Sequence, residues 1–285
     1  MRHLGLIGLC LCGTVLLAGC QQAERNKIQK EVDSINAADR SNLDAIELTI
    51  ADPNEAVTYF TKSVEKYPDK TDQKRYLAKS LIRAQRPTEA AKVWADVVAA
   101  KDANNEDSVD LADALIRANQ WTQAEKVLDG IPPTHESFDR YRLEAMVADS
   151  RKEWKKADSF YEIAAGMTTT PAGIYNNWGI SKMTRGDFAG AEPLFIQALR
   201  YDPTVFATKN NLVLARARQR KYDLPIIDMT QGERSVLLYN IALTAIKQGD
   251  VSTGKGLLQE SIDSNPEYFP DAVRALNALN ANVSN

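Results

Sequence analysis

The sequence repeats itself with a period of about 34 residues, and this period restricts the possible folds more than any other feature. Alanine recurs at spacings of 34, 34, 33 and 34 residues, at Ala56, Ala90, Ala124, Ala157 and Ala191. A fixed period of this length is typical of proteins built from copies of one small supersecondary unit, each of which buries its apolar face against its neighbours. We therefore interpret the chain as a stack of similar units.

Each of these alanines belongs to the same pattern of large and small residues. A large residue follows four positions later, one helical turn away on the same face. These residues are Phe60, Trp94, Leu128, Tyr161 and Phe195. A small residue precedes most of the alanines by twelve positions. These residues are Ala78, Ala112, Ala145 and Gly179. Large and small side chains interdigitate where helices approach closely, so the pattern predicts two packed helices per unit and an all-α fold.

The clearest copy runs over residues 172–205. It contains a turn at Gly186-Asp187, where glycine can reverse the chain and the aspartate can cap the second helix, and it ends at Pro203. This unit resembles the tetratricopeptide repeat (TPR) family. The resemblance implies an α-solenoid, a right-handed superhelix of about six to seven helical hairpins, which we assign to residues 37–285.

One joint departs from the period. After Ala191 a copy centred on Pro225 follows at 34 residues, but the next small position, Gly254, comes only 29 residues later. The second helix of that sixth unit, near residues 223–229, is therefore predicted to be shortened or lost, and Thr230 to Glu233 has the form of a capping box that starts the next helix. The joint is either a hinge or docking notch, or a deletion that merely disturbs the superhelix.

The first 36 residues have the character of a processed N-terminus. An apolar run over residues 4–17 is followed by Leu-Ala-Gly and Cys20, as in a signal peptide with a small-residue cleavage site. These residues resemble the lipobox of bacterial lipoproteins, which implies a signal peptide over residues 1–19 and a diacylglycerol anchor on Cys20. Residues 20–36 are predicted to be the lipidated N-terminus and a tether. Gln21 is not the aspartate that retains many lipoproteins at the inner membrane, which implies the outer membrane.

The composition argues against several functions. The net charge is −3, whereas nucleic-acid-binding proteins carry a basic excess. The three cysteines lie in the first twenty residues and the only histidines are His3 and His135, which leaves few ligands for a metal. We therefore predict no catalytic residues, cofactor, metal, nucleic-acid partner or small-molecule substrate, and we interpret the tryptophans as core residues and His135 as a loop residue.

Each repeat has a first and a second helix, and two positions of the first helix are predicted to face a groove. One holds asparagine in three successive units, at Asn177, Asn211 and Asn240, and asparagine side chains can hydrogen-bond the backbone of an extended peptide. The alternative is that these are solvated polar residues. The other position holds Arg83, Arg117 and Arg218. These arginines either bind an acidic segment or simply complement the helix dipole in the last turn.

The C-terminal third carries a narrower resemblance. Residues 220–280, from RKYDLPIIDM to RALNALN, resemble the TadD family of tight-adherence (Tad, or Flp) pilus assembly lipoproteins. The resemblance implies a scaffold on the periplasmic face of the outer membrane, with protein partners among the Tad components and a pilotin-like role for the secretin. The alternative is an envelope lipoprotein that recruits peptidoglycan enzymes or outer-membrane protein assembly factors.

Overall fold

The computed structural model describes residues 44, 48–49 and 51–281. Within this part of the chain there are thirteen helices of more than one turn and no strand, so the predicted all-α class is confirmed. The helices are α1 (Pro53–Lys66), α2 (Thr71–Arg83), α3 (Pro87–Val98), α4 (Asn105–Arg117), α5 (Trp121–Asp129), α6 (Phe138–Ser150), α7 (Trp154–Gly166), α8 (Ala172–Thr184), α9 (Phe188–Tyr201), α10 (Phe206–Arg218), α11 (Gln231–Lys247), α12 (Val251–Ser264) and α13 (Pro270–Ala281).

The predicted signal peptide over residues 1–19, the lipid-accepting Cys20 and the tether over residues 20–36 lie outside the described residues. They remain predictions. None of the helices that the structure describes combines the length and the hydropathy that a bilayer-spanning helix requires.

The chain divides into two compact units, with the division between Ala118 and Asn119. In the first unit, helices α1 to α4 pack in sequence order, each against the next. An ion pair ties α2 to α4, because Arg75 Nε donates to Asp107 Oδ1 over 2.7 Å. The second unit contains α5 to α13, in which each helix also packs on the next, with α6–α7, α8–α9 and α11–α12 as the most extensive pairs.

The repeated small and large positions form the core, as the sequence predicts. All five periodic alanines are 0% exposed, and the large residues one turn later are at most 3% exposed. At the small position of α8, a Cβ added to Gly179 would lie 2.6 Å from a ring carbon of Phe195 on α9. Only a residue without a side chain lets these two helices approach so closely.

The hairpin turns share one backbone conformation. Six residues, each just after a first helix, have a positive φ between 57° and 88°. They are Gln85, Asn119, Lys152, Gly186, Arg220 and Gly249. Their spacings of 34, 33, 34, 34 and 29 residues match those of the core positions. A left-handed residue at this place lets the next amide groups bond back to the last helical turn, as Asp187 N does to the Lys182 carbonyl over 2.9 Å.

The predicted loss of a second helix at the joint is confirmed. Residues 219–230 are not helical, although Arg220 keeps the left-handed turn that elsewhere precedes a second helix. The segment packs instead through single side chains: Leu224 and Met229 contact the core between α10 and α11, and Ile227 contacts the core around Phe195. The predicted capping box then starts α11, since Glu233 N donates to Thr230 Oγ1 over 3.1 Å and Thr230 N donates to Glu233 Oε2 over 2.8 Å.

Replacing Gly179 by alanine tests the close approach of α8 and α9. In an open helix interior this change stabilises by up to about 1 kcal/mol, because alanine has the higher helix propensity. Here the methyl group would overlap the Phe195 ring, and overpacking costs about 1–3 kcal/mol. We expect Gly179→Ala to lower the free energy of unfolding in urea. Gly173→Ala is the control, because it lies in the same helix and its added Cβ would have no atom within 4 Å. Equal stability of the two variants would contradict this packing.

Candidate polypeptide-binding groove

An apolar groove opens on the second unit. It encloses about 440 Å³ and is built from the start of α5, the end of α6, the first half of α7 and the second half of α8. We call it the tryptophan groove. Its lining consists of Trp121, Met146, Asp149, Ser150, Trp154, Tyr161, Asn177, Ile180, Ser181 and Thr184. Ile180 is 42% exposed, so a large apolar side chain is presented to any chain that enters the groove.

The repeat itself places the two tryptophans in this groove. Trp121 and Trp154 are the first residues of α5 and α7, three positions before a periodic alanine. Two successive repeats therefore have an indole at the same position. Trp178 is partly buried and packs against the core, where it stacks on Tyr161 with ring centroids 6.2 Å apart. The prediction that all tryptophans are core residues is right for Trp94, which is 1% exposed. It is incomplete for Trp121 and Trp154, which are only partly buried and line the groove.

One carboxylate belongs to this apolar wall. Asp149 Oδ2 accepts a hydrogen bond from the Tyr161 hydroxyl over 2.8 Å, and Asp149 Oδ1 accepts one from the Ser181 hydroxyl over 2.6 Å. Burial raises the pKa of Asp149, although these hydrogen bonds oppose the shift. Burial also raises the pKa of Tyr161, and the neighbouring Asp149 charge adds to that shift. Among the polar residues that line the groove, Asp149 is thus the one that can carry a charge.

A second carboxylate beside the groove is fully paired. Asp158 accepts hydrogen bonds from Arg185 over 2.6 Å, from Trp178 Nε1 over 2.6 Å and from Lys182 over 3.1 Å. Burial alone would raise the pKa of Asp158, but these three donors outweigh it and the pKa is lowered. The Arg185 guanidinium also lies 5.6 Å from the ring centroid of Trp154. This network links Trp154 of α7 to the end of α8.

The structure gives the predicted asparagines structural partners that the sequence did not reveal. Asn211 Nδ2 donates to Asn176 Oδ1 over 3.1 Å, and Asn240 Nδ2 donates to Asn210 Oδ1 over 2.7 Å. The partner is the residue just before the predicted position in the preceding first helix, so these amides link α8 to α10 and α10 to α11. Asn177 lines the tryptophan groove. The prediction that the three asparagines bind a peptide backbone remains untested.

The three predicted arginines have different local contacts. Arg83 donates to the backbone carbonyls of Leu48 and Ala51, and Arg117 forms an ion pair with Asp113 one turn earlier in its own helix. Arg218 lies 4.8 Å from the ring centroid of Phe188 and lines a smaller cavity. That cavity also contains Lys247. The prediction that these arginines bind an acidic segment remains untested.

His135 lies in the loop between α5 and α6, as predicted, and its backbone carbonyl accepts a hydrogen bond from Arg140 over 2.9 Å. Over the described residues, no cluster of three or more histidine, cysteine, aspartate or glutamate side chains could hold a metal ion. The groove therefore offers shape, apolar surface and one carboxylate to a ligand.

Comparison with known proteins agrees with the repeat geometry. A family model described as tetratricopeptide repeat matches residues 176–224. No curated protein matches the chain. Among solved structures, the C-terminal part of a TPR repeat-containing protein from Cytophaga hutchinsonii is similar with a TM-score of 0.54 and 15% identity, over 82% of this chain and 98% of that one.

Two further structures show the same likeness. A chain of the APC/C hetero-tetramer Cut9–Hcn1 is similar with a TM-score of 0.58 and 14% identity. The similarity covers 80% of this chain but only 46% of the Cut9–Hcn1 chain. A thermophilic TPR protein from Thermus thermophilus has a TM-score of 0.50 and 16% identity, over 57% of this chain and 90% of that one. The fold is therefore an all-α solenoid of the tetratricopeptide type; the right-handed superhelical path stays a prediction.

Removing the Asn240 amide tests the structural contact that it makes. Asn240→Ala would leave Asn210 Oδ1 without its donor, and an unsatisfied partly buried acceptor costs about 1 kcal/mol. We expect this loss in the free energy of unfolding, and a smaller loss for Asn177→Ala, since the bond of Asn177 to its neighbour Asn176 is long at 3.5 Å. The double variant Asn210→Ala/Asn240→Ala should lose less than the sum of the two single losses. Additive losses would show that the pair does not interact.

Proposed function

We propose that this chain is a lipid-anchored scaffold that helps to assemble the Tad pilus and that binds a partner polypeptide in the tryptophan groove. Tetratricopeptide folds serve as protein-interaction scaffolds, and the fold is typical of proteins that do not catalyse reactions. The observation that carries the proposal is the groove itself, in which two indoles and Ile180 leave apolar surface open on a rigid helical frame. Concave sites lined mostly by apolar and aromatic side chains with a few polar groups are where proteins commonly bind ligands.

The finer part of the proposal is supported by the sequence. The Leu-Ala-Gly sequence before Cys20 supports lipidation, and residues 220–280, which form the joint and helices α11 to α13, support the Tad pilus. On this proposal the chain faces the periplasm from the outer membrane, and its partner is the secretin or another Tad component. A lipid anchor would hold the scaffold at the membrane in which the secretin assembles.

A photocrosslinking residue in the groove would identify the partner. We would place p-benzoylphenylalanine at Ile180 in α8, and the matched control at Ile163 in α7, because both isoleucines are 42% exposed but only Ile180 lines the groove. We expect a Tad component, the secretin first, to be crosslinked in cells from position 180 and not from position 163. The same products from both positions, or none from position 180, would contradict the groove as the binding surface. A peptidoglycan hydrolase or an outer-membrane assembly factor at position 180 would favour the alternative scaffold and contradict the Tad assignment.

The anchor is tested separately. Cys20→Ala should abolish labelling by radioactive palmitate and release the protein from the outer-membrane fraction, because the thioether can form only on that thiol. Cys12→Ala is the control, since this cysteine lies in the predicted signal peptide and its loss should leave labelling unchanged. Bilayer attachment by two or three acyl chains is durable, whereas a single chain binds only marginally. Full labelling of the Cys20→Ala variant would refute the anchor site.

A further inference from the structure

The charges around the tryptophan groove do not balance. Asp158 is paired with Arg185 and Lys182, and Lys182 also lies 3.5 Å from Asp187. Asp149 has only the two hydroxyl donors of Tyr161 and Ser181, and it forms no ion pair with any residue that the structure describes. Hydroxyl groups satisfy hydrogen-bond geometry but do not neutralise a charge. The groove therefore contains one carboxylate without a counter-ion.

The chemistry around Asp149 favours a cation. Each carboxylate oxygen has two lone pairs, and the single hydroxyl bond to each oxygen leaves one lone pair free. The wall of the same cavity includes the indole of Trp121, and the face of such a ring attracts cations, whereas the Trp154 ring already has the Arg185 guanidinium 5.6 Å from its centroid. Met146 and Ile180 add apolar surface that suits an aliphatic stem. An occupant without positive charge would bury Asp149 further and leave it unpaired, which is costly.

The neighbouring charged groups do not supply this cation. Arg185, which directly follows α8, is close enough that its charge acts to lower the pKa of Asp149, but its Nη2 donates to both carboxylate oxygens of Asp158 on α7. The charge of Arg142 on α6 acts to lower the pKa of Tyr161, and Arg142 Nε donates to Asp139 Oδ1 over 3.0 Å. The place for a direct partner of Asp149 is thus left to a ligand.

We propose that the tryptophan groove selects a basic side chain, lysine or arginine, of the partner polypeptide, whose charged group binds the Asp149 carboxylate while its methylene groups lie against Met146 and Ile180. The inference rests on the proposed function only in taking a polypeptide as the occupant. It names Asp149 as the specificity-determining residue. The second cavity, which contains Arg218 and Lys247, has the opposite charge and would not accept such a side chain.

The test uses synthetic heptapeptides of the sequence Gly-Ser-Leu-X-Leu-Ser-Gly with blocked ends, where X is lysine, arginine, norleucine or glutamate. Norleucine keeps the aliphatic stem of lysine and removes its charge. Binding to the mature chain is followed by tryptophan fluorescence and by amide chemical shifts. We expect the lysine and arginine peptides to bind about tenfold more tightly than the norleucine peptide, which corresponds to roughly 1.4 kcal/mol, and the glutamate peptide to bind most weakly.

Two variants assign the effect to Asp149. Asp149→Asn keeps the shape of the side chain and should reduce the lysine peptide to the affinity of the norleucine peptide. Asp263→Asn removes the same charge from an exposed position on α12 and should leave all four affinities unchanged. Equal binding of the lysine and norleucine peptides to the wild-type chain, absence of binding by the lysine peptide, or an unchanged preference in Asp149→Asn would overturn the inference. The first comparison needs no variant, so it stands even if Asp149→Asn does not fold.

The outcome is separable from that of the proposed function. If position 180 crosslinks to a Tad component while the charge of the peptide has no effect, the proposed function stands and the basic-residue inference fails. If the lysine peptide binds through Asp149 but the crosslinked partner is a peptidoglycan hydrolase, the inference stands and the Tad assignment fails.

Discussion

The close approach of paired helices at one small residue per unit is the constraint on which the rest of the structure depends. The five periodic alanines are fully buried, and a Cβ added at the small position Gly179 would overlap the Phe195 ring. Because protein interiors are close-packed, adding or removing a methyl group at such a position lowers the free energy of unfolding. The same spacing sets where each second helix starts, and hence where Trp121 and Trp154 lie.

The parts of the fold that sequence reasoning predicted are those that depend on local pattern. The alanine period predicted the helical hairpins, the 29-residue step predicted the missing helix at residues 219–230, and the Thr230 to Glu233 capping box predicted the start of α11. The capping box depends on residues three positions apart, and the two spacings report a supersecondary unit that is repeated along the chain. The left-handed turns were recognisable in advance only where glycine occupies them, at Gly186 and Gly249.

The candidate site was less predictable, because it depends on which side chains of neighbouring repeats contact each other. Asn177 does line the groove, but the hydrogen bonds of Asn211 and Asn240 to Asn176 and Asn210 depend on the relative rotation of neighbouring first helices, which a periodic pattern does not specify. The same holds for Asp149, whose role follows from the Tyr161 and Ser181 hydroxyls on two other helices. The available signal was the departure of Asp149 from the repeat, because the residues eight positions before Ala90, Ala124 and Ala191 are the apolar Ile82, Ile116 and Met183.

Amide hydrogen exchange, followed residue by residue, tests the central packing claim most directly. Exchange reports local opening, and amides in cooperative packed helices are protected most strongly. The account predicts the slowest exchange around the buried alanines, for example in α9 around Ala191, and fast exchange over most of residues 219–230, which join two protected stretches of the second unit. A protected helix within residues 219–230, or rapid exchange around the alanines, would contradict it.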